Sequence, residues 1–176
     1  MSMSKIFNTK FDTRTIVILG LLAAIQIVLS RFLSFSVWNM KIGFGFVPVV
    51  IAAMMFGPLQ AAIVGGVSDF LGAILFPIGP YFPGFTLTAC LTAILFGLFL
   101  RERQTLVRVA GAVVLTQLIC SLLINTYWIS LVYGAPFISL IPPRLIQTAI
   151  LVPVQIATTM VLAKALKSIP MKRVIV

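Results

Sequence analysis

The sequence lacks most of what chemistry in water uses. It has no histidine and only three acidic residues in 176. Without imidazole, and with carboxylates this scarce, the usual ligand set for a transition metal cannot be assembled, so neither a metal nor a cofactor is expected. No Ser-His pair and no HExxH helix is present for hydrolysis, and no GxxxxGK[ST] loop for cleaving ATP. A single acid, Asp69, falls inside an apolar run, which excludes a two-carboxylate protease. The two cysteines, Cys90 and Cys120, lie in separate apolar stretches with no CxxC spacing and read as small buried groups, not a disulfide. Charged residues make up only 9% of the chain, too few to clothe a soluble surface.

Apolar residues fill the space that remains, at 61% of the sequence with a mean hydropathy of +1.18. The length allows one domain, 1–176. A soluble fold of this size could not hide so much apolar surface, whereas a lipid solvent removes the difficulty. The net charge of +10 on a soluble scaffold would suggest nucleic acid. Here the basic residues sit at the ends of apolar segments, so the bilayer is the partner they indicate and nucleic acid is not.

Crossing about 30 Å of hydrocarbon takes roughly 20 apolar residues. The first run, from about Thr15 to Phe32, follows Lys5, Lys10 and Arg14 as a signal peptide would. It ends in Leu29-Ser30-Arg31 without a small-x-small cleavage pattern, so it is expected to be a retained span. A short second span from about Ile42 to Phe56 meets a third, about Leu59 to Phe76, at Gly57-Pro58. The turn formers of Pro77 to Gly84 make a loop. A fourth span covers about Phe85 to Leu100, and a fifth about Leu106 to Tyr133. Pro142-Pro143 is expected to open the sixth, to about Leu166, because proline in a first helical turn forfeits no bond. Pro153 should kink that helix.

The sequence thus predicts an all-α membrane protein, a compact bundle of six transmembrane helices with both termini cytoplasmic. In that orientation Lys5, Lys10, Arg14, Arg101, Arg103, Arg108, Lys164, Lys167, Lys172 and Arg173 lie inside, as positive-inside topology demands. Arg31, Lys41 and Arg144 fall outside, and topology does not explain them.

Asp69 inside a span would cost about 2.5–3.5 kcal/mol at the bilayer centre, so it should face a cavity or a partner. Gly65 and Gly72 share its helical face and leave room for close approach. Gln117, Ser121, Asn125 and Trp128 form one polar stripe on the fifth span. By helical rise, Asp69 and Asn125 reach a similar depth from the outer side. These residues outline a graded pocket. Asp69 and Asn125 suit a donor-rich ring. Trp38, Tyr81, Phe82, Phe85 and Trp128 offer flat faces for stacking. Arg31, Lys41 and Arg144, with Gln147 one turn further, suit carboxylates or phosphates. Blander readings stand beside these: packing for Asp69, interhelical hydrogen bonding for the stripe, and headgroup contact for the cations.

The first span carries a small-residue face at Gly20, Ala23 and Ala24, of the kind that lets helices approach closely. The inner halves of the spans, such as Ala61 to Val64 and Leu91 to Phe99, are too apolar to line a pore. No clear inverted repeat of the secondary-transporter kind is present. A stand-alone facilitator and a small intramembrane enzyme are therefore the weaker alternatives.

Three stretches carry a family resemblance: Lys41-Ile42-Gly43-Phe44 through Phe56-Gly57-Pro58, then Gly65-Gly66-Val67-Ser68-Asp69, then Pro83-Gly84-Phe85-Thr86-Leu87-Thr88-Ala89. Over nearly its whole length the chain resembles the substrate-binding S components of energy-coupling factor (ECF) vitamin transporters, most closely the folate-specific kind. The resemblance implies a high-affinity vitamin-binding protein of the bacterial cytoplasmic membrane that is not an enzyme. It implies as partners a transmembrane coupling subunit and two cytoplasmic ATPases, with toppling in the membrane to deliver substrate. Family members dock the coupling subunit through an Ala-xxx-Ala face on the first helix, which here begins at Gly20 or shifts to Ala23. For folate, a pterin would donate to Asp69 and Asn125 and stack on Phe85 or Trp128. The glutamate carboxylates would meet Arg144, Arg31 or Lys41. Riboflavin, pantothenate and hydroxymethylpyrimidine are the alternative vitamins.

Overall fold

A computed structural model of the chain describes residues 12–37 and 40–168. The first helix, α1 (Thr13–Arg31), leads into a two-stranded antiparallel hairpin, β1 (Ser34–Val37) and β2 (Met40–Gly43). Then come α2 (Phe46–Met55), α3 (Pro58–Leu75), α4 (Pro83–Leu100), α5 (Leu106–Tyr133) and α6 (Phe137–Ser168). Among the described residues, α1, α3, α4, α5 and α6 are long and apolar enough to cross a bilayer. The six apolar helices fall where hydropathy places them. Ten-residue α2 rises only about 15 Å, half the hydrocarbon thickness, and the hairpin occupies the rest of that segment.

Helix boundaries follow local chemistry. Pro58 and Pro83 start α3 and α4 in the first turn, where a missing N–H costs nothing. Gly57 joins α2 to α3 at φ 102°, a left-handed conformation that excludes a side chain without strain. Gly134 ends α5 at φ 64° as a left-handed cap. The sixth helix begins earlier than Pro142-Pro143 suggests, at Phe137, so both prolines lie inside it. Ile138 and Ser139, whose carbonyls lose their partners to these prolines, are exposed at the helix end and can be solvated there.

The long helices follow one another around the bundle. α1 packs on α3, α3 on α4, α4 on α5 and α5 on α6. The gap between α6 and α1 is filled by α2, which touches both, and by the hairpin, whose β1 meets α1 and β2 meets α6. The apolar core takes α2 along its length but only one end of every other helix. Its buried members on the other helices are Leu19, Leu22 and Ala23 on α1, Ala61 and Val64 on α3, Ala93, Phe96 and Leu100 on α4, Val109, Ala112 and Val113 on α5 and Ala163 on α6. All of these belong to the end of the bundle where α1 starts. The opposite end, where α1 stops and α4 starts, holds the buried polar residues Ser68, Thr88, Thr126, Arg144, Gln147 and Thr148.

Candidate functional site

The polar end of the bundle is organised around the first two turns of α4. Thr86 Oγ1 donates to Asp69 Oδ2 at 2.8 Å, joining α4 to α3. Two residues on, Thr88 Oγ1 accepts from Trp128 Nε1 at 3.0 Å and donates to the Gly84 carbonyl at 2.8 Å, joining α4 to α5. Residues two apart on a helix lie on nearly opposite faces. Asp69 and Trp128 therefore flank α4 from either side.

Asp69 is half-buried, and its neighbours on α3 explain what surrounds it. Gly65 faces the Ala89 carbonyl and Ala93, and Gly66 faces Cys90, so these two glycines admit α4. Gly72 has a different occupant. A Cβ there would lie 3.0 Å from Arg31 Nε, so the guanidinium crosses α3 one turn beyond Asp69. The Nε atom is buried without a hydrogen-bond partner among the described residues. Just past it, Phe32 and Phe76 close the helix ends edge to face, ring centres 5.1 Å apart. An unused donor thus stands beside a carboxylate, both on one face of α3.

Across α4 lies an aromatic cluster. Phe82 packs 5.2 Å from Trp128 and 6.1 Å from Phe85, each pair contributing about 0.5–1.5 kcal/mol beyond area burial. Tyr81 turns away and meets Phe70 at 5.9 Å on the exposed side, with 44% of its own surface open. Asn125 sits one turn before Trp128, and its Oδ1 is buried without a partner among the described residues.

On the remaining side, Arg144 is only 8% exposed and its Nη1 donates to the Ser121 carbonyl at 2.7 Å. Gln147, one turn along α6, is also buried. Lys41 pairs with Ser36 in the hairpin, while Trp38 lies outside the described residues. Of the small residues on α1, Ala23 is in the core, whereas Gly20 and Ala24 are exposed, and a Cβ on Gly20 would meet nothing within 4 Å.

The structure therefore sets Arg31 one helical turn along α3 from Asp69, and brings together Phe82 with Phe85 and Trp128, and Arg144 with the backbone of α5. Sequence reasoning missed Thr86 and Thr88, which tie the first two groups to α4. Their signal was present as two hydroxyls in the opening turns of an apolar span, directly after Pro83-Gly84. A groove of about 460 Å³ lies beside the aromatic cluster, between α4, α5 and the start of α6. Leu87, Leu91, Leu123 and Tyr127 line it together with the hydrogen-bonded pair Thr88 and Trp128. Leu87 is 66% exposed, so that groove faces the lipid side.

A bundle of long apolar helices, with its apolar core gathered at one end and polar side chains buried along its length, is a multi-pass membrane protein. The family model for the substrate-specific component of ECF transporters matches residues 14–163. A folate transporter FolT of Clostridium novyi (strain NT) is 42% identical over 137 residues, covering 77% of this chain and 80% of that protein. Another, from Leuconostoc mesenteroides, is 33% identical over 154 residues, covering 84% and 83%. Among solved structures, a crystal structure of FolT bound with folic acid superposes with a TM-score of 0.83 at 36% identity, over 88% of this chain and 95% of the other. The S component of a bacterial ECF transporter superposes with a TM-score of 0.61 at 25% identity, over 88% and 98%. The chain belongs to the substrate-specific components of ECF transporters. These relatives are transporter subunits and not enzymes.

Proposed function

We propose that this chain is the folate-binding S component of an ECF importer in the bacterial cytoplasmic membrane. Both termini lie in the cytoplasm, so the polar end of the bundle opens outward. The observation that carries this reading is the placement of two groups one turn apart along α3. The Asp69 carboxylate and the unpartnered Arg31 Nε lie one turn apart, in the half of the bundle that the core leaves open. A pterin presents adjacent N–H donors to a carboxylate and acceptors to a guanidinium, and it is flat enough to stack. Asp69 and Asn125 would take its donor edge, and Phe82, Phe85 and Trp128 its faces. Arg31 would meet the glutamate carboxylates where they emerge, with Lys41 of the hairpin as a further candidate. The names of the curated relatives and the folic acid in the superposed structure support the same substrate.

The inner end is closely packed, with Gln60 and Thr159 fully buried alongside Val64, Phe96 and Leu100. Release then requires a coupling subunit and two cytoplasmic ATPases, docked through the exposed Gly20 and Ala24 of α1. Mass spectrometry of small molecules co-purifying with the detergent-solubilised chain tests the substrate. A folate is expected; riboflavin, thiamine or pantothenate in its place would overturn folate while leaving the family intact.

A further inference from the structure

The middle of α5 is not α-helical. Thr116–Ile124 forms a nine-residue π-helix, in which each turn holds one residue more than the sequence would otherwise place there. The segment contains neither proline nor glycine, so nothing local imposes this geometry. Its hydrogen bonds reveal what sustains it. The Asn125 N–H, which an α-helix would give to the Ser121 carbonyl, goes instead to the Cys120 carbonyl. The Ser121 carbonyl accepts from Arg144 Nη1 at 2.7 Å, a charged donor on the neighbouring helix. Such bonds are about twice as strong as neutral ones, and burial of the guanidinium strengthens this one further.

The residues immediately after the π-segment are Asn125 and, one turn later, Trp128. Each extra residue taken up in a helical turn rotates everything that follows by about 100° relative to an unbroken α-helix. The π register thus decides whether the Asn125 amide and the Trp128 ring face the bundle.

We infer that Arg144 is a positioning residue: by holding the Ser121 carbonyl it fixes the π register of α5 and sets the rotation of Asn125 and Trp128. Its role is then distinct from the anion contact that its charge suggests. The binding readout below rests on the folate reading; the spectroscopic one does not.

The test uses the full chain in detergent: affinities are read with Trp38 in place, and emission with Trp38→Phe added, which leaves Trp128 as the single tryptophan. Three proteins are compared: this parent, Arg144→Met and Arg144→Lys. In Arg144→Met, the emission of Trp128 without ligand shifts as its bond to Thr88 is lost, and backbone amide exchange across 116–124 accelerates. Affinity for folate falls roughly 10–100-fold, and affinity for 6-methylpterin, which has no carboxylate, falls by the same factor. Arg144→Lys keeps a donor and restores a large part of both the emission and the affinities. Loss of folate affinity with unchanged 6-methylpterin affinity and unchanged emission would make Arg144 an anion contact and overturn the proposal. Unchanged emission and exchange in Arg144→Met would overturn it equally. If the chain with Trp38 in place binds no folate, the folate reading fails, and emission and exchange still decide the register. Should Arg144→Met fail to fold, Arg144→Lys decides alone: parent-like emission and exchange support the lock, and a pterin affinity kept while folate affinity is lost overturns it.

Discussion

Thr86 donates its hydroxyl to Asp69 across the α3–α4 contact, Oγ1 to Oδ2 at 2.8 Å, and so fixes the orientation of the one acid buried within the spans. Held this way, the carboxylate would meet the proposed ligand without first having to be ordered. Asp69→Asn keeps the shape and removes the charge. A hydrogen bond to a charged group is worth about 1.5–3 kcal/mol, so folate affinity should fall about 10–100-fold. Thr86→Val leaves the charge and frees its orientation, and should cost about two- to tenfold. Titration calorimetry on the purified variants measures both. Full affinity in Asp69→Asn would remove this residue from the site.

Gly97 faces the backbone of Pro58 at the packed end of the bundle, in contact with its Cα. A side chain there meets a proline that cannot rotate away. Gly97→Ala is expected to lower stability by about 1–3 kcal/mol, the usual range for overpacking. Thermal unfolding in detergent should show the loss. Folate affinity of the folded fraction should stay within about twofold, because the site lies at the other end.

The exposed face of α1 separates docking from binding. Gly20→Leu and Ala24→Leu add bulk where nothing stands in the way for Gly20 and where Ala24 is open. Both should bind folate normally yet fail to support uptake by cells that supply the coupling subunit and ATPases. Ala23→Leu behaves differently: that residue is in the core, so the expected effect is a loss of stability of about 1–3 kcal/mol. Normal uptake in the Gly20 and Ala24 variants would place the docking face elsewhere.

In proteoliposomes the chain alone should bind labelled folate and accumulate none inside, with or without ATP. Adding the coupling subunit and ATPases should make accumulation dependent on ATP hydrolysis. Passive flux through the isolated chain would contradict the apolar packing of Ala61, Val64, Ala93, Phe96 and Val113.

The long helices were legible because a run of apolar residues of that length has one low-cost conformation in lipid. The hairpin was not. Ile42 to Phe56 is continuously apolar, and hydropathy cannot distinguish a strand followed by a short helix from one span. The pairing of Ser34 with Gly43 that defines the hairpin is made between residues on different runs. Pro142-Pro143 marked the neighbourhood of a helix start and misplaced it by about a turn and a half. Asp69 stood out because an acid in a span needs a reason, whereas Thr86 was hidden by the ease with which threonine bonds its own helix, as Thr88 does with Gly84. The π-segment left no trace in composition, since its cause sits on another helix at Arg144.

The brevity of α2 has a consequence for how such a protein can change. Because the core is gathered at one end, the residues that keep the chain folded and those proposed to select a ligand are different sets, spaced along the same helices. Substitutions around Asp69, Phe82 or Asn125 can alter what is captured without disturbing the packing of Val50, Phe96 or Val109. One scaffold can then be refitted for a chemically different cargo while the exposed face of α1 stays as it is.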